Sequence, residues 1–472
     1  MDRCTIIPPH ILDALAASGD PALEARAERS RAIDKRLTRA RRGNRDLTDQ
    51  QPPTTPHPRE QTAGPSRAIH DAKGEQDLPG ELVRAEGAGP TDDIAVNEAY
   101  DGLGATWELW SSAYGRDSLD GKGLPLVATV HYGQDYDNAF WDGSQMVFGD
   151  GDGIIFGRFT ASLDVIGHEL AHGITQYTSG LTYQGQSGAL NEHLSDVCGV
   201  LVTQHHLDQS ADEADWLIGA DLLVDGVKGV ALRSMSAPGT AYDDPRLGKD
   251  PQPAHMDDYV VTDSDNGGVH INSGIPNRAF YLVASAIGGR AWEVAGQVWV
   301  DTILGDIRAD CDFERFAALT IHAAAERYGA WVSDIVTDAW AQVGVGSSAP
   351  AAEGEPQRSP EPPSRSLPTH ESELTLTRSG GFAGLTRRRT VTLGDLPKHD
   401  AHAFAHLIAN TDLEEVQRAP TVPDGYCYGL HCDRPPLDVQ IGEPALSSHT
   451  RALFERTLAE ADPAPRDHED PS

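Results

Sequence analysis

Residues 164–199 read "DVIGHELAHGITQYTSGLTYQGQSGALNEHLSDVCG". Within them His168, Glu169 and His172 form the pattern H-E-x-x-H. On a helix, positions i and i+4 share one face about a turn apart, so two imidazoles so placed can grip one metal ion. Val165, Ile166, Leu170, Ala171 and Ile174 around them predict a buried amphipathic helix. A pair of histidines hydrogen-bonded in a core helix gives the same pattern, so the argument needs further residues. Glu192, in "GALNEHLSD", is a third ligand candidate on its own helical stretch. Catalytic zinc sites typically take three protein ligands and leave a fourth position to water. His168, His172 and Glu192 supply two nitrogens and a carboxylate. Asp196, one turn beyond Glu192, is placed to accept the second N–H of a ligand histidine and fix its tautomer. Glu169 lies between the ligands, where a carboxylate takes a proton from the attacking water and passes it to a leaving amine.

The 472 residues predict two or three domains. The formal charge of −34 (38 − 72) argues against a nucleic-acid partner. No run reaches the ~18 apolar residues of a membrane span, and the N-terminus "MDRCTIIPPHILDALAASGD" lacks the basic start and apolar core of a secretory signal. Five cysteines spread over the chain make no disulfide framework. Cys198 and Cys311 read as buried thiols, and the spacing of Cys427 and Cys432 allows a small closed loop.

Composition divides the chain. Residues 1–50 hold Asp20 and Pro21 at the start of a basic helix that ends near Gly43, with nine Lys and Arg against four Asp and Glu between 20 and 45. Residues 51–73 are a Pro-rich connector. Residues 74–193 and 194–346 are two lobes of one globular region: strands first ("PLVATVHYG", "QMVFGDGDGIIFG"), then helices, with loops near 225–268. This predicts an α+β fold with the long helix at the lobe junction. Residues 347–370 are a disordered linker, 371–461 a small α/β or β-rich unit opening on a hairpin, and 462–472 an acidic tail.

The zinc block resembles the thermolysin-like neutral metalloproteases, and the match runs in family order over roughly 74–346. "NAFWDGSQMVFGDGDG" (138–153) resembles their edge strand, which implies that Asn138 and Ala139 hold the substrate backbone. The resemblance implies that Arg233 binds the substrate carbonyl. It implies too that His270, oriented by Asp265, and Tyr183 stabilise the oxyanion. Phe156, Phe159, Val165, Ile218, Leu222 and Leu232 line the pocket for the residue after the scissile bond, so cleavage before Leu or Phe is expected. For the family's paired calcium site, Asp164 and Asp215 fit, but Thr203 and Ala220 stand where acids are usual. One calcium is allowed and the double site is not expected. Secretion follows from the resemblance, after a cytoplasmic stage, with peptides and proteins as substrates and a monomer as the working form.

The N-terminus resembles the short propeptide of the protealysin subgroup, with Cys4 or His10 available to block the zinc. A steric plug is the other option. "LTLTRSGGFAGL" resembles the emfourin-type inhibitors. A linker of about 24 residues spans roughly 25–30 Å, giving the C-terminal unit an effective concentration near millimolar at its own cleft. Self-restraint in cis is therefore expected, with a binding appendage as the alternative. A rival reading of the whole is a non-catalytic zinc-binding interaction protein. Glu169, His270 and Arg233 speak against it, since a binding module has no use for a general base.

Overall fold

Proline sets the start of both N-terminal helices. α1 (Pro9–Ala16) and α2 (Pro21–Asn44) each open on one, where its missing N–H has no helical partner to lose. Asp20 caps α2 by accepting the Ala22 N–H at 2.9 Å. The computed structural model describes residues 5–44, 64–346, 369, 372–380, 386–396, 400–401, 404, 407–408, 426–442 and 448–459. Cys4, the expected linkers over 51–63 and 347–368, and the acidic tail 462–472 lie outside them. Packing divides the chain into two compact units, Met1–Ala323 with Val336–Ser348 and Ala324–Ile335 with Ala349–Ser472.

In the first unit β1 (Arg67–Asp71), β2 (Glu81–Ala85), α3 (Ile94–Tyr114), β3 (Leu126–Val130), β4 (Ala139–Trp141) and β5 (Met146–Phe148) follow in order. The strands form one sheet, β2-β1-β3-β5-β4. β1 falls inside the span read as connector. "RAIHD" shows little alternation, but Ile69 is fully buried and the strand pairs on both edges, antiparallel to β2 and parallel to β3. β4 is last in the sheet order, bonded to β5 on one side.

α4 (Leu163–Tyr177) and α5 (Gly185–Leu207) cross closely. A Cβ on Gly199 would lie 2.4 Å from the Asp164 carbonyl oxygen, so only glycine permits this approach. α5 runs unbroken through 193–194, where the sequence reading divides the lobes. Two-residue strands occupy part of the expected loop region. β6 (Leu217–Ile218) pairs with β7 (Arg233–Ser234), and β8 (Asp243–Asp244) with β9 (Gly248–Lys249). Helices α6 (Asp265–Asn272), α7 (Gly274–Ile287), α8 (Ala295–Leu304), α9 (Phe313–Tyr328) and α10 (Ala330–Gln342) complete the helical part. Trp299 packs there against Phe280, Phe316 and Trp340. Among the described residues no helix is long and apolar enough to cross a membrane.

The second unit is a four-stranded antiparallel sheet, β11-β10-β12-β13, with a helix: β10 (Glu373–Gly380), β11 (Arg387–Thr392), β12 (Tyr426–Cys432), β13 (Leu437–Gly442) and α11 (Ser448–Ala459). The expected hairpin is β10–β11, in register from Glu373↔Thr392 to Arg378↔Arg387. Leu374, Leu376, Tyr428, Leu430, Ile441 and Phe454 fill its core. Cys427 and Cys432 do not close a loop. Both lie on β12, five residues or about 16 Å apart at the rise of a strand, far beyond disulfide reach.

Candidate metal centre and substrate cleft

α4 presents His168, Glu169 and His172 from one buried stretch, and α5 brings Glu192 and Asp196 against them. The Nε2 atoms of His168 and His172 are 3.2 Å apart, and Glu192 oxygens lie 3.5 and 3.7 Å from them. Their outer nitrogens fix the tautomers. His168 Nδ1 donates to Asp196 Oδ1 at 2.8 Å and His172 Nδ1 to Asn191 Oδ1 at 2.8 Å. In the tautomer that donates through Nδ1, each ring turns an Nε2 lone pair inward. Burial, opposed by Glu192, lowers the His172 pKa to about 4, so this ring is neutral at pH 7. In that tautomer two lone pairs and a carboxylate converge, an arrangement that a cation between them relieves. The two-nitrogen, one-carboxylate set fits zinc.

Asp196 does more than the sequence suggests. Besides His168 it accepts Arg233 Nε at 2.9 Å and Nη2 at 2.8 Å, and Asn277 Nδ2 at 2.8 Å. Burial alone would raise its pKa, but Arg233 and His168 hold it well below the usual carboxylate range. One carboxylate thus fixes both a metal-facing ring and a cleft-facing guanidinium. For Glu192, burial is likewise outweighed by His270, His172 and His168, and its pKa falls to about 2.

Glu169 differs. It is fully buried and accepts the Trp141 N–H at 2.9 Å. Burial, and next the charge of Glu192, raise its pKa well above the ordinary value. A carboxyl that binds a proton readily suits proton shuttling. Tyr183 donates to Glu192 Oε1 at 2.5 Å and stands 3.2 Å from His270 Nε2. His270 Nδ1 donates to Asp265 Oδ1 at 2.6 Å, and its backbone N–H to Asp265 Oδ2 at 2.9 Å. Burial opposes the charge on His270, but Asp265 and Glu192 raise its pKa to about 9, so Nε2 carries a proton to donate. The approach depends on backbone geometry. Asp265, Asn266, Gly267 and Gly268 all have positive φ (53°, 49°, 85° and 76°), a run in which the two glycines avoid the Cβ clash.

The cleft between these groups holds the chain's own N-terminus. Thr5 O accepts from His270 Nε2 at 3.1 Å, Ile6 N–H donates to Ala139 O at 3.1 Å, and Ile6 O accepts from Arg233 Nη1 at 3.3 Å. Ile7 N–H donates to Asn138 Oδ1 at 2.9 Å. Ile6 and Ile7 are fully buried. His10, expected as a metal block, instead meets Tyr242 OH at 3.0 Å, because α1 starts at Pro9 and carries it away from the extended Thr5–Ile7 segment. The six expected pocket residues are all buried. Phe156 and Phe159 pack at 6.0 Å between rings, and Leu232 N–H donates to Ile218 O at 2.9 Å, next to Arg233.

The expected calcium residues are otherwise engaged. Asp164 accepts from Ser162 Oγ, from Val165 N–H at 2.8 Å and from Gly219 N–H at 2.7 Å, and burial raises its pKa. Asp215 accepts the Leu217 N–H at 3.0 Å. With backbone donors on both acids, and Thr203 and Ala220 as the other members, the set does not fit a double calcium site. Sequence reasoning missed Asn191, Asn277, Trp141 N–H and the Thr5–Ile7 segment. Asn191, one residue before Glu192 in the motif, gave a signal, and so did the propeptide-like stretch that contains Thr5–Ile7.

Three family models match this chain. Thermolysin metallopeptidase, catalytic domain, covers residues 53–176, and thermolysin metallopeptidase, alpha-helical domain, covers 179–345. Emfourin covers 376–458. An extracellular metalloprotease of Pectobacterium carotovorum subsp. carotovorum is 54% identical over 343 residues, 72% of this chain and 96% of the relative. The extracellular minor metalloprotease of Serratia marcescens is 45% identical over 287 residues, 61% of this chain and 78% of the relative. The solved precursor of protealysin, a metalloproteinase from Serratia proteamaculans, aligns at TM-score 0.66 and 50% identity, covering 72% of this chain and 99% of its own.

Proposed function

The chain belongs to the thermolysin metallopeptidase family, and from that premise we propose that it is the self-blocked precursor of a zinc endopeptidase cutting on the N-terminal side of large apolar residues. The observation that carries this reading is the Thr5–Ile7 segment, held along its backbone by His270, Arg233, Ala139 and Asn138 with an isoleucine fully buried.

His168, His172 and Glu192 would hold the zinc. Bound there, the ion supplies Lewis-acid polarisation of the substrate carbonyl and makes a water molecule more acidic. The chain's own groups do the rest. Ala139 O and Asn138 Oδ1 bind the two N–H groups after the scissile bond, and Arg233 binds the carbonyl between them, which fixes the attack geometry. Glu169 takes the proton of the attacking water and delivers it to the leaving nitrogen. His270 and Tyr183 donate to the developing oxyanion, each worth about 3 kcal/mol. Phe156, Phe159, Val165, Ile218, Leu222 and Leu232 exclude water and favour an apolar side chain. Names of relatives as extracellular proteases support action outside the producing cell.

The match of the C-terminal unit to Emfourin supports a second restraint in cis through the 347–370 linker. The experiment is peptide hydrolysis by the connector-cleaved chain with residues 348–472 present or removed. Faster turnover after removal is expected, and equal rates would make the unit a binding appendage. Cleavage before charged residues as readily as before Leu or Phe would overturn the specificity.

A further inference from the structure

The N-terminal segment is held in register, and a plug needs no register. This inference rests on the function proposed above: we propose that the chain's own Thr5–Ile6 peptide bond lies in the scissile position and is the first bond the enzyme cuts, in cis, before the connector is opened.

Five backbone groups about that bond, from the Thr5 carbonyl to the Ile7 carbonyl, meet groups already assigned to substrate. Upstream, the Thr5 carbonyl faces the donor His270 Nε2 at 3.1 Å. Downstream, Ile6 N–H is on Ala139 O at 3.1 Å, Ile6 O on Arg233 Nη1 at 3.3 Å and Ile7 N–H on Asn138 Oδ1 at 2.9 Å, while Asn138 Nδ2 reaches Ile7 O at 3.4 Å. A shift by one residue in either direction exchanges every one of these partners and takes Ile6 from the buried place it fills. Toward the C-terminus it would also put Pro8, with no N–H, on an acceptor that needs a donor. The Ile6 N–H, the nitrogen that would leave, also lies near enough to Glu169 to stabilise its carboxylate.

The step is a simple hydrolysis. Water adds to the Thr5 carbonyl carbon, and Glu169 accepts one of its protons. The C–N bond to Ile6 breaks, and Glu169 returns that proton to the Ile6 nitrogen. Thr5 leaves as a carboxylate at the end of Met1–Thr5, and Ile6 becomes a new N-terminal amine. Ile6 and Ile7 keep their bonds to Ala139, Arg233 and Asn138, and α1 and α2 still anchor them. The trimmed propeptide therefore stays as a bound product, and the cut releases little activity by itself.

The test follows intact mass and N-terminal sequence of the full zinc-loaded chain over time. The expected record is loss of Met1–Thr5, with Ile6 the main new N-terminus, before any cut within 45–67. Its rate should not depend on chain concentration, and Glu169→Gln should retain Met1–Thr5. A readout without turnover uses the metal-free full chain, in which hydrogen exchange at the Ile6 and Ile7 amides should be strongly slowed. Free exchange there would overturn the inference. So would matured enzyme that hydrolyses an added peptide while every precursor keeps Met1–Thr5 until the connector opens, a result that leaves the proposed function standing. Failure to cut any peptide at all would remove both.

Discussion

Thr5–Ile7 and helix α2 both press on the strand region 137–141, and they hold it with different chemistry. Thr5–Ile7 has two fully buried isoleucines, and its backbone groups meet donors and acceptors at 2.9–3.4 Å. α2 mixes one apolar contact with polar ones. Ile33 packs among Tyr132, Tyr136 and Phe140, Ser30 Oγ accepts the Asp137 N–H at 3.0 Å, and Asp34 accepts the Tyr136 hydroxyl at 2.7 Å. Arg29 pairs with Asp135 at 2.9 Å, both nearly half exposed, and Arg26 donates to Asp152 O. Under the helix lies Asp137, 1% exposed, with neither carboxylate oxygen hydrogen-bonded. Burial, and next the charge of Asp152, raise its pKa to about 8, with Asp135 adding to the rise and Arg26 and Arg29 opposing it. The segment in the cleft is held along its backbone by His270, Ala139, Arg233 and Asn138. The helix that secures it covers an acid whose carboxylate oxygens have no hydrogen-bond partner among the described residues.

His270→Ala should cost the matured enzyme about 10²–10³-fold in kcat/KM on an apolar peptide, the loss of one oxyanion donor. An effect under about fivefold would remove the substrate-like meaning of the Thr5–His270 contact. On the inhibitory side, Ile6→Ala empties a buried site at about 3 kcal/mol, so the connector-cleaved propeptide should bind roughly a hundredfold more weakly in an inhibition assay.

Next in size is a pH effect that belongs to α2. In the docked state Asp137 keeps its proton up to about pH 8, against an ordinary value of 3.8. Docking is strongest below about pH 4, weakens by about tenfold per unit as pH rises, and levels off past about 8. His10 works the other way. Burial, then His270, lower its docked pKa to about 4 from 6.5, so docking weakens as pH falls through that interval. The two slopes cancel between about 4 and 6.5, and above 6.5 Asp137 acts alone. Asp137→Asn should remove the alkaline weakening and leave only the acid-side slope, read as propeptide affinity against pH. The smallest effect is for Arg29→Ala, an exposed pair, which should change propeptide affinity by less than about fivefold.

The sequence made the metal centre legible because its information is local: two histidines one helical turn apart, and a glutamate and aspartate one turn apart on the next helix. Which outer acceptor serves which ring was not legible. That follows from the crossing of α4 and α5 at Gly199, which gives Asp196 to His168 and Asn191 to His172. The α+β class was readable from patterning, but strands first and helices later was not the order found, since the 21-residue α3 (Ile94–Tyr114) stands between β2 and β3. β1 was not readable, since Ile69 is buried by partners on both edges rather than by its own alternation. Thr5–Ile7 lies in the stretch that resembles a propeptide, but which of its residues enter the cleft was not legible, because backbone N–H and C=O groups do the binding and every sequence has them. His10 and Cys4 drew attention as ligand types, while the plain segment between them filled the cleft.

The central claim, a zinc endopeptidase whose proton shuttle is Glu169, is tested most directly by Glu169→Gln in the full chain. The chain is loaded with zinc and opened in the connector by an added protease, and its propeptide is removed. Zinc content and kcat/KM on a Leu- or Phe-containing peptide are then measured on the same sample. Zinc held at the wild-type level with kcat/KM lowered by about 10³-fold or more is the predicted result. Zinc held at that level with kcat/KM within about tenfold of wild type would contradict the account.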